Sequence, residues 1–523
     1  MKPPCDQAVI ESTRPVMPCA QADERWVLLA TILGSSLAFI DGTVVNVALP
    51  ALQTSLRANV IDVQWVIESY ALFLSALILA GGSMGDLFGR RRMFLSGVTV
   101  FAIASAACGL ARNIHQLIIA RSIQGVGAAF LVPGSLSIIS ASFSEEQRGR
   151  AIGTWSGFTA MTAAIGPVLG GWLIEHGSWR WVFFINVPIA AVVIAVSMWH
   201  VPESRMLGQR SLDWAGALVV TAGLAGITYG FIESSTLGWS NAAVWGTLAA
   251  GTACLIAFVR IEARADAPMV PLSLFRSRDF TGANMLTLFL YAALGIFFFL
   301  YPLNLIQVQH YSATATGAAA LPFIILMFAL SRWSGGLVAN YGPRRPLIIG
   351  PIIAAVGFLL FAVPSVGGSY WRTFFPGFLV LGLGMAVSVA PLTTVVMAAV
   401  DQNRAGTASG INNAIARVAG LLAVAILGIV MVSAFSHSMN RSLMDLNLPV
   451  GVAHELRSNE IRLGALTVPH GLNSDTAAEV QRSIAQAFIS GFRLIMLICA
   501  ALGALSAFVA WQEIANGFKS RAS

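Results

Sequence analysis

The sequence predicts an all-α integral membrane protein with fourteen transmembrane helices. Of its 523 residues, 56% are hydrophobic and 11% are charged, whereas soluble proteins carry about 25% charged residues. The apolar residues form many runs of roughly 20 residues, the length that crosses the hydrocarbon core as a helix. These runs are continuously apolar and do not alternate with polar residues, which favours helices over a β-barrel.

The fourteen predicted spans are separated mostly by short polar connections. In chain order they are 27–49, 63–84, 93–111, 114–141, 150–173, 181–201, 214–232, 242–260, 281–304, 316–339, 346–365, 372–399, 408–434 and 488–511. One connection is long, residues 435–487, and contains the amphipathic stretch "TAAEVQRSIAQAF". It is expected to form either a small cap or a surface loop without a specific role. The even number of spans places both termini on one side of the membrane.

The distribution of basic residues predicts which side that is. If the N-terminus is cytoplasmic, the cytoplasmic segments hold nineteen lysines and arginines and the short loops on the other side hold four. Those four are Arg57, Arg112, Arg180 and Arg372. Basic residues accumulate on the cytoplasmic side of membrane proteins, so both termini are expected in the cytoplasm. No cleavable signal peptide is evident, so the first span is expected to remain as an anchor.

Composition also argues against several classes of function. The formal net charge of +7 does not predict nucleic-acid binding, because the arginines are scattered and the lysines are only Lys2 and Lys519. Neither lysine lies in a GxxxxGK phosphate-binding loop, so ATP is not the expected energy source. The five cysteines form no CxxC pair and predict neither a disulfide framework nor a metal site. We expect no cofactor and no enzymatic activity.

A weak internal repeat predicts two related halves. "GGSMGDLFGRRRMFL" (Gly81–Leu95) follows the second span, and "SGGLVANYGPRRPLI" (Ser334–Ile348) follows the tenth, with Ala339 in the place of Asp86. Duplicated halves are typical of secondary transporters. The predicted organisation is an N-terminal tail at 1–25, a six-helix bundle at 26–202, two additional helices at 203–280, a second six-helix bundle at 281–511 that includes the long loop, and a tail at 512–523.

Three ionisable residues interrupt the apolar spans of the first half. Asp41 lies about 12 Å below the outer end of span 1, Glu68 about 8 Å deep in span 2 and Arg121 about 11 Å deep in span 4, at 1.5 Å per residue. Charges within a bilayer are costly and usually serve transport or proton relay. The three therefore predict a proton-coupling site in which Arg121 holds both carboxylates. The alternatives are an ion-pair network that only joins helices, and a Glu68 that lines a watery outer vestibule.

Glycine-rich motifs accompany these residues. "GSMGDLFGRRR" contains Gly82, Asp86, Gly89, Arg90 and Arg91; "RSIQGVGAAF" contains Arg121, Gln124 and Gly125; and "GTWSGFTAMTAAIGPVLGGW" contains Gly157, Gly166, Pro167, Gly170 and Gly171. Glycines spaced four residues apart permit close helix packing, and a proline inside a helix permits a kink. Ordinary helix packing would explain the last motif equally well. The aromatic run "GIFFFLYPL" is consistent with a cavity wall, with a lipid-facing surface or with core.

These segments resemble the signature motifs of the major facilitator superfamily, in its fourteen-span drug:proton antiporter-2 branch. "LAFIDGTVVNVALP" (Leu37–Pro50) is similar to the first-span motif of that branch, "GSMGDLFGRRR" to the loop motif, "RSIQGVGAAF" to the span-4 motif and "GPVLGG" to the antiporter motif of span 5. "SWRWVFFINVPI" (Ser178–Ile189) is also typical. The resemblance implies the major facilitator fold, two six-helix bundles with two extra central helices.

The resemblance also implies roles for single residues. Asp41 would take part in coupling or cation recognition and Arg121 in proton movement, while Asp86 and Arg90 would form a cytoplasmic gate with Arg148 or Arg150. Gly166, Pro167 and Gly170 would form the antiporter bend. Ala339 departs from the loop motif, so a gate in the second half should be weaker. Spans 13 and 14 carry Arg417 and Arg493 but no acid, which puts export of dications in doubt.

The function implied by the resemblance is proton-driven export of amphipathic small molecules by alternating access, with antibiotic resistance as its consequence. Its partners would be substrates, protons and the lipid bilayer of the cytoplasmic membrane, with a periplasmic adaptor and an outer-membrane channel as conceivable additions. Three alternatives remain open: a dedicated exporter of one metabolite, antibiotic or siderophore; a lipid or glycolipid flippase; and a membrane sensor or scaffold that transports nothing.

Overall fold

The computed structural model describes residues 21–143, 145–204, 213–265, 268–400, 405–445, 448–468 and 472–515. Over these residues the protein is helical and contains no strand. The predicted tails therefore lie largely outside the described residues. The helices confirm the all-α membrane architecture that the apolar runs predict.

Nine α-helices precede residue 270. They are α1 (Gln21–Leu56), α2 (Val60–Phe88), α3 (Arg90–Leu110), α4 (Ile114–Ser142), α5 (Glu145–His176), α6 (Trp181–Phe184), α7 (Asn186–His200), α8 (Trp214–Leu237) and α9 (Ala242–Glu262).

Ten further α-helices complete the described chain. They are α10 (Arg278–Leu303), α11 (Ala313–Ala319), α12 (Leu321–Gly335), α13 (Leu337–Tyr341), α14 (Arg344–Phe361), α15 (Tyr370–Thr373), α16 (Phe375–Ala398), α17 (Ala405–Asp445), α18 (Val450–Ser458) and α19 (Ser474–Glu513). A π-helical turn, Asn304–Val308, extends α10.

Thirteen of the predicted spans coincide with helices that are long and apolar enough to cross a membrane. The remaining one, span 5, falls within the 32-residue helix α5, many of whose side chains lie outside the described residues. Spans 6 and 12 each contain one break between consecutive helices, and span 10 contains two. The apolar pattern does not reveal these breaks, because hydrophobicity continues through them.

The long connection between spans 13 and 14 is shorter than predicted. Helix α17 continues to Asp445 and α19 already begins at Ser474, because the amphipathic stretch before span 14 belongs to the same helix as the span. Between them, Leu456 and Leu463 have at most 1% of their surface exposed. This segment therefore packs against the helices in the manner of a small cap.

The first of two compact units comprises Met1–Val45, Ser69–Ala225 and Gly251–Leu272. Helices α3 and α4 pack closely within this unit. A Cβ atom on Gly97 would lie 2.8 Å from the carbonyl oxygen of Gly127, and one on Gly127 would lie 2.6 Å from the backbone nitrogen of Phe101. The two backbones can approach this closely only because neither glycine has a side chain.

The second unit comprises Asn46–Glu68, Gly226–Ala250 and Ser273–Ser523. Phe297 is fully buried and lies 4.7 Å from Phe361 between ring centroids, with Phe358 and Phe378 within 6 Å. The aromatic run of α10 is thus core, and this excludes Phe297 from a cavity wall. Phe297 meets Phe358 and Phe378 edge to face, which is a favourable arrangement for aromatic rings.

The junction of α1 and α2 belongs to this second unit and makes polar contacts there. Gln307 donates a hydrogen bond to Gln53 (2.6 Å), and Gln64 donates one to the carbonyl oxygen of Val424 (3.3 Å). Trp65 donates to the carboxylate of Glu233 (2.9 Å). These side chains attach the end of α1 and the start of α2 to other elements of the second unit.

Substitution of Gly127 by valine should destabilise the α3–α4 packing. The added atoms would overlap backbone, which cannot move aside, so the cost should reach about 3 kcal/mol, the upper end for overpacked cores. We expect a clearly lower thermal unfolding midpoint of the purified protein in detergent. Gly153→Val is the matched control, because a Cβ at Gly153 meets nothing within 4 Å. Equal midpoints for both variants would contradict the close packing.

Candidate functional site

The centre of the site is an ion pair between α1 and α4. Nη1 of Arg121 lies 2.5 Å from Oδ2 of Asp41, and their side chains are 2% and 0% exposed. Two charges removed from water in this way stabilise each other only if their geometry is good and their other polar atoms are satisfied. The structure thus brings together two of the three ionisable residues that the sequence singled out, Asp41 and Arg121.

Gln124 and Asn186 satisfy the remaining polar atoms of the pair. Gln124 accepts a hydrogen bond from Arg121 (2.8 Å) and donates one to Oδ1 of Asp41 (2.9 Å). Asn186, the first residue of α7, donates to the same oxygen at 3.4 Å. The carboxylate therefore accepts hydrogen bonds from three side chains, and neither of its oxygens is left without a partner.

A second layer of contacts fixes these partners. Asn186 donates a hydrogen bond to Ser105 (3.0 Å), whose hydroxyl donates to the carbonyl oxygen of Phe183 (2.8 Å). The guanidinium of Arg121 lies 4.1 Å above the ring centroid of Tyr70 on α2, a favourable cation–π distance. Five helices, α1 to α4 and α7, thus contribute side chains to one buried polar network.

Small residues let the neighbouring helices reach this network. A Cβ atom on Gly125 would lie 2.5 Å from the carbonyl oxygen of Tyr70, so Gly125 permits the close contact of α4 with α2. Cβ atoms on Gly166 and Gly170 would overlap Thr43 and Val44. These two glycines allow α5 to lie directly against α1, two and three residues after Asp41.

Three further residues of the span-5 motif also belong to α5. Pro167 is buried inside α5, and Gly171 is also buried. Gly157 lies in the same helix, but its surroundings are outside what the structure describes. The close contact with α1 therefore rests on Gly166 and Gly170.

Glu68 lies apart from the hydrogen bonds of this network. It is 1% exposed, and neither of its carboxylate oxygens accepts a hydrogen bond from any residue that the structure describes. The expectation that Arg121 would hold two carboxylates is therefore wrong. Arg121 instead shares its Nη1 between Asp41 and Gln124. Glu68 is also not a residue of a watery vestibule, because it is buried.

The loop motif forms a tight junction between α2 and α3. Gly89 has a φ of 111°, a conformation that favours glycine. Beyond it, the backbone N–H of Arg90 donates to the carbonyl oxygen of Ser204 (2.8 Å), and that of Arg91 donates to the carboxylate of Glu203 (3.1 Å). An acidic group at the N-terminus of a helix is favourable, because it satisfies free N–H groups and the helix dipole.

The predicted gate also includes Gly82 and a cluster of charged side chains. A Cβ on Gly82 would lie 3.6 Å from Pro133 of α4, an ordinary contact, so no close approach depends on this glycine. The side chains of Asp86, Arg148 and Arg150 lie outside the described residues, and the predicted charge cluster remains a prediction. The second copy of the motif has the same turn, since Gly342 has a φ of 74°.

The sequence analysis missed three polar residues that the structure places in these contacts: Ser105, Asn186 and Glu203. Asn186 lies in "SWRWVFFINVPI", and an amide within an apolar run is the same signal that revealed Asp41. Glu203 follows α7 directly, and no local pattern links it to the start of α3. A contact across 112 positions in the chain cannot be read from spacing.

Comparisons with known proteins agree on one family. The model of the Major Facilitator Superfamily matches residues 31–424. The tetracenomycin C resistance and export protein of Streptomyces glaucescens is 31% identical over 92% of this chain and 90% of its own length. The multidrug resistance protein Stp of Mycobacterium tuberculosis is 32% identical over 93% and 91%. The puromycin resistance protein pur8 of Streptomyces alboniger is 34% identical over 83% and 86%.

Solved structures show the same fold. A bacterial homologue of the human lysosomal transporter Spinster, in an inward-facing conformation, superposes with a TM-score of 0.64 at 17% identity, over 94% of this chain and 99% of the other. A D-xylose–proton symporter superposes with a TM-score of 0.60 at 15% identity, over 94% and 98%. The identities are low, so these structures establish the fold alone.

The ion pair should show strong coupling in a double-mutant cycle. Asp41→Asn or Arg121→Gln alone leaves one buried charge without its partner, at a cost of about 3–5 kcal/mol. The double variant removes both charges and should be less destabilised than the sum of the single variants. Thermal unfolding of the purified variants in detergent measures the difference. Additive effects would mean that the two side chains do not stabilise each other.

Proposed function

Because the chain belongs to the major facilitator superfamily, we propose that it exports amphipathic or hydrophobic small molecules in exchange for protons, by alternating access. The observation that carries this proposal is its likeness to resistance and export proteins along almost the whole length of both chains. A carrier of this kind needs no bound cofactor and is not an enzyme. The buried ionisable residues of α1, α2 and α4 supply the groups that such an exchange requires.

Asp41 and Glu68 lie in opposite environments, and we propose that they have different tasks. Asp41 accepts hydrogen bonds from Arg121, Gln124 and Asn186, so its negative charge is stabilised where it lies. Glu68 is buried without a hydrogen-bond donor among the described residues. A buried carboxylate without partners costs far more free energy than a neutral carboxyl group. Glu68 therefore carries a proton in this conformation and releases it when the transport cycle exposes it to water.

Arg121 connects this exchange to the substrate. A cationic or polar substrate that approaches Asp41 would compete with Arg121 and Gln124 for its oxygens. The ion pair would then loosen, and the helices that it joins would be free to rearrange. Proton and substrate would thereby act on the same helices at different times, which is the requirement for antiport.

A dedicated exporter is the second candidate function. Several relatives are named for a single compound, among them the tetracenomycin C, puromycin and lincomycin resistance proteins. The multidrug resistance protein Stp is equally similar to this chain. A panel of chemically unrelated substrates distinguishes the two, because a dedicated exporter would transport one chemical class only.

We place the protein in the cytoplasmic membrane with both termini in the cytoplasm. The support is the excess of basic residues in alternate connections, which the helix order of the structure preserves. The division into two six-helix bundles with two extra helices between them stays a prediction. Association with a periplasmic adaptor and an outer-membrane channel also stays a prediction.

Asp41→Asn and Glu68→Gln should both abolish efflux driven by a pH gradient, for different reasons. Asp41→Asn removes the partner of Arg121, whereas Glu68→Gln keeps the size of a protonated glutamic acid but cannot release a proton. In everted vesicles with an imposed pH gradient, neither variant should export ethidium, at protein levels equal to wild type. Glu68→Gln should still bind ethidium, and its substrate-induced proton release should be lost.

The control for these variants is Glu233→Gln, because Glu233 is a carboxylate with a hydrogen-bond donor, Trp65, outside the proposed exchange. It should retain efflux and proton release. Wild-type proton release from Glu68→Gln would overturn the role of Glu68. Wild-type efflux by Asp41→Asn would overturn the role of the ion pair.

The loop motif should affect the transport cycle more than substrate binding. Gly89→Ala would force an unfavourable φ and bring the new methyl group within 2.7 Å of Glu203, so the junction of α2 and α3 could not keep its shape. We expect efflux to fall about tenfold or more, with little change in equilibrium ethidium binding, as for a step of about 1.4 kcal/mol. Gly153→Ala is the matched control, because a Cβ at Gly153 meets nothing within 4 Å. Gly42→Ala is not suitable, because Gly42 adjoins Asp41. A parallel loss of binding and efflux would contradict a gating role.

A further inference from the structure

An open groove lies between α17 and α19, in the second unit. It has a volume of about 640 Å³ and is formed by the last third of α17 and the middle of α19. Val430, His437 and Arg441 occur seven and four positions apart, so they share one face of α17. Leu494 of α19 faces the same groove. Leu494 is 40% exposed, and His437 and Arg441 are also exposed.

The chemistry of the groove changes along its length. Arg441, His437 and Ser438 line one end, and Ile429, Val430 and Leu494 line the other. Helices α17 and α19 are both apolar enough to cross a membrane. The predicted apolar part of α17 ends at 434, so the apolar end of the groove lies at hydrocarbon depth and its basic end lies near the headgroups.

The length of the groove matches one leaflet. Ile429 and Arg441 are twelve residues apart, which corresponds to about 18 Å along a helix. Half of the hydrocarbon core is about 15 Å thick, and the headgroup region adds several ångströms. A ligand that fills the groove therefore has one polar end and an apolar part of about 12 Å, the distance from Ile429 to His437 along the helix, which covers most of the hydrocarbon depth of one leaflet.

The polar end of the groove favours an anion. Arg441 contacts His437 at 3.3 Å between Nη2 and Nε2, and no acidic residue is among the described residues that line the groove. Glu460 of the cap segment interacts with Ser436 and Asn440, which lie on another face of α17. The guanidinium and the serine hydroxyl are donors suited to the oxygens of a phosphate group.

We propose that this groove binds one anionic phospholipid, with its phosphate at Arg441 and His437 and an acyl chain along Ile429, Val430 and Leu494. The bound lipid fills the space between α17 and α19 where their side chains do not meet. The proposal does not depend on the transported substrate. The lipid would belong to the leaflet on the same side of the membrane as the connection between α17 and α19.

The test is lipid binding to the purified full-length protein in detergent, followed by native mass spectrometry. Phosphatidylglycerol and phosphatidylcholine with identical acyl chains are titrated separately. Wild type should bind phosphatidylglycerol about fivefold more tightly, the preference expected for one arginine beside an anionic headgroup. Arg441→Gln should lose this preference, and Leu494→Trp, which fills the apolar end, should weaken the binding of both lipids.

Arg112→Gln is the matched control, because Arg112 is an exposed arginine at another helix connection, outside the groove. It should bind both lipids as wild type does, and the unfolding midpoints of all variants should agree. The proposal is overturned if Arg441→Gln keeps the wild-type preference, or if wild type shows none. It is also overturned if millimolar inorganic phosphate displaces the lipid completely, because an acyl chain would then contribute nothing.

Discussion

The buried ion pair of Asp41 and Arg121 is the interaction on which the arrangement of the first unit depends. Neither charge could remain in a membrane-spanning helix alone, because an uncompensated charge at that depth is costly. Their contact therefore fixes the register of α1 against α4. Gln124 and Asn186 then follow from the same constraint, because each remaining polar atom of a buried pair needs a partner.

The glycines around the pair follow from it as well. Side chains as short as that of aspartate can meet an arginine of another helix only if the surrounding backbones come close. Gly125 brings α4 against Tyr70 of α2, and Gly166 and Gly170 bring α5 against α1 beside Asp41. Lipid supplies no hydrophobic force between helices, so small residues and polar contacts together determine which helix faces associate. The glycines of the motifs around Arg121 and Pro167 thus have the same effect, because both let helices pack closely around the ion pair.

The two carboxylates of the first two helices lie in different environments. Asp41 has hydrogen bonds from three side chains, and Glu68, also buried, has none from a described residue. Proton exchange needs a carboxyl group that is stable when protonated in one conformation and ionised in another. Such a group cannot be held permanently by an arginine.

The sequence by itself determined the membrane class, the positions of the spans and the family. Each of these is a local property, either the length of an apolar run or a contiguous motif. It also identified Asp41, Arg121 and Gln124, since a polar residue in an apolar run is conspicuous. Only the tertiary structure decided that Arg121 contacts Asp41 and Gln124 but does not hold Glu68, that Asn186 completes the pair, and that Glu203 caps α3. Depth along a helix can be counted from sequence, but the direction in which each helix face points depends on all the helices packed around it.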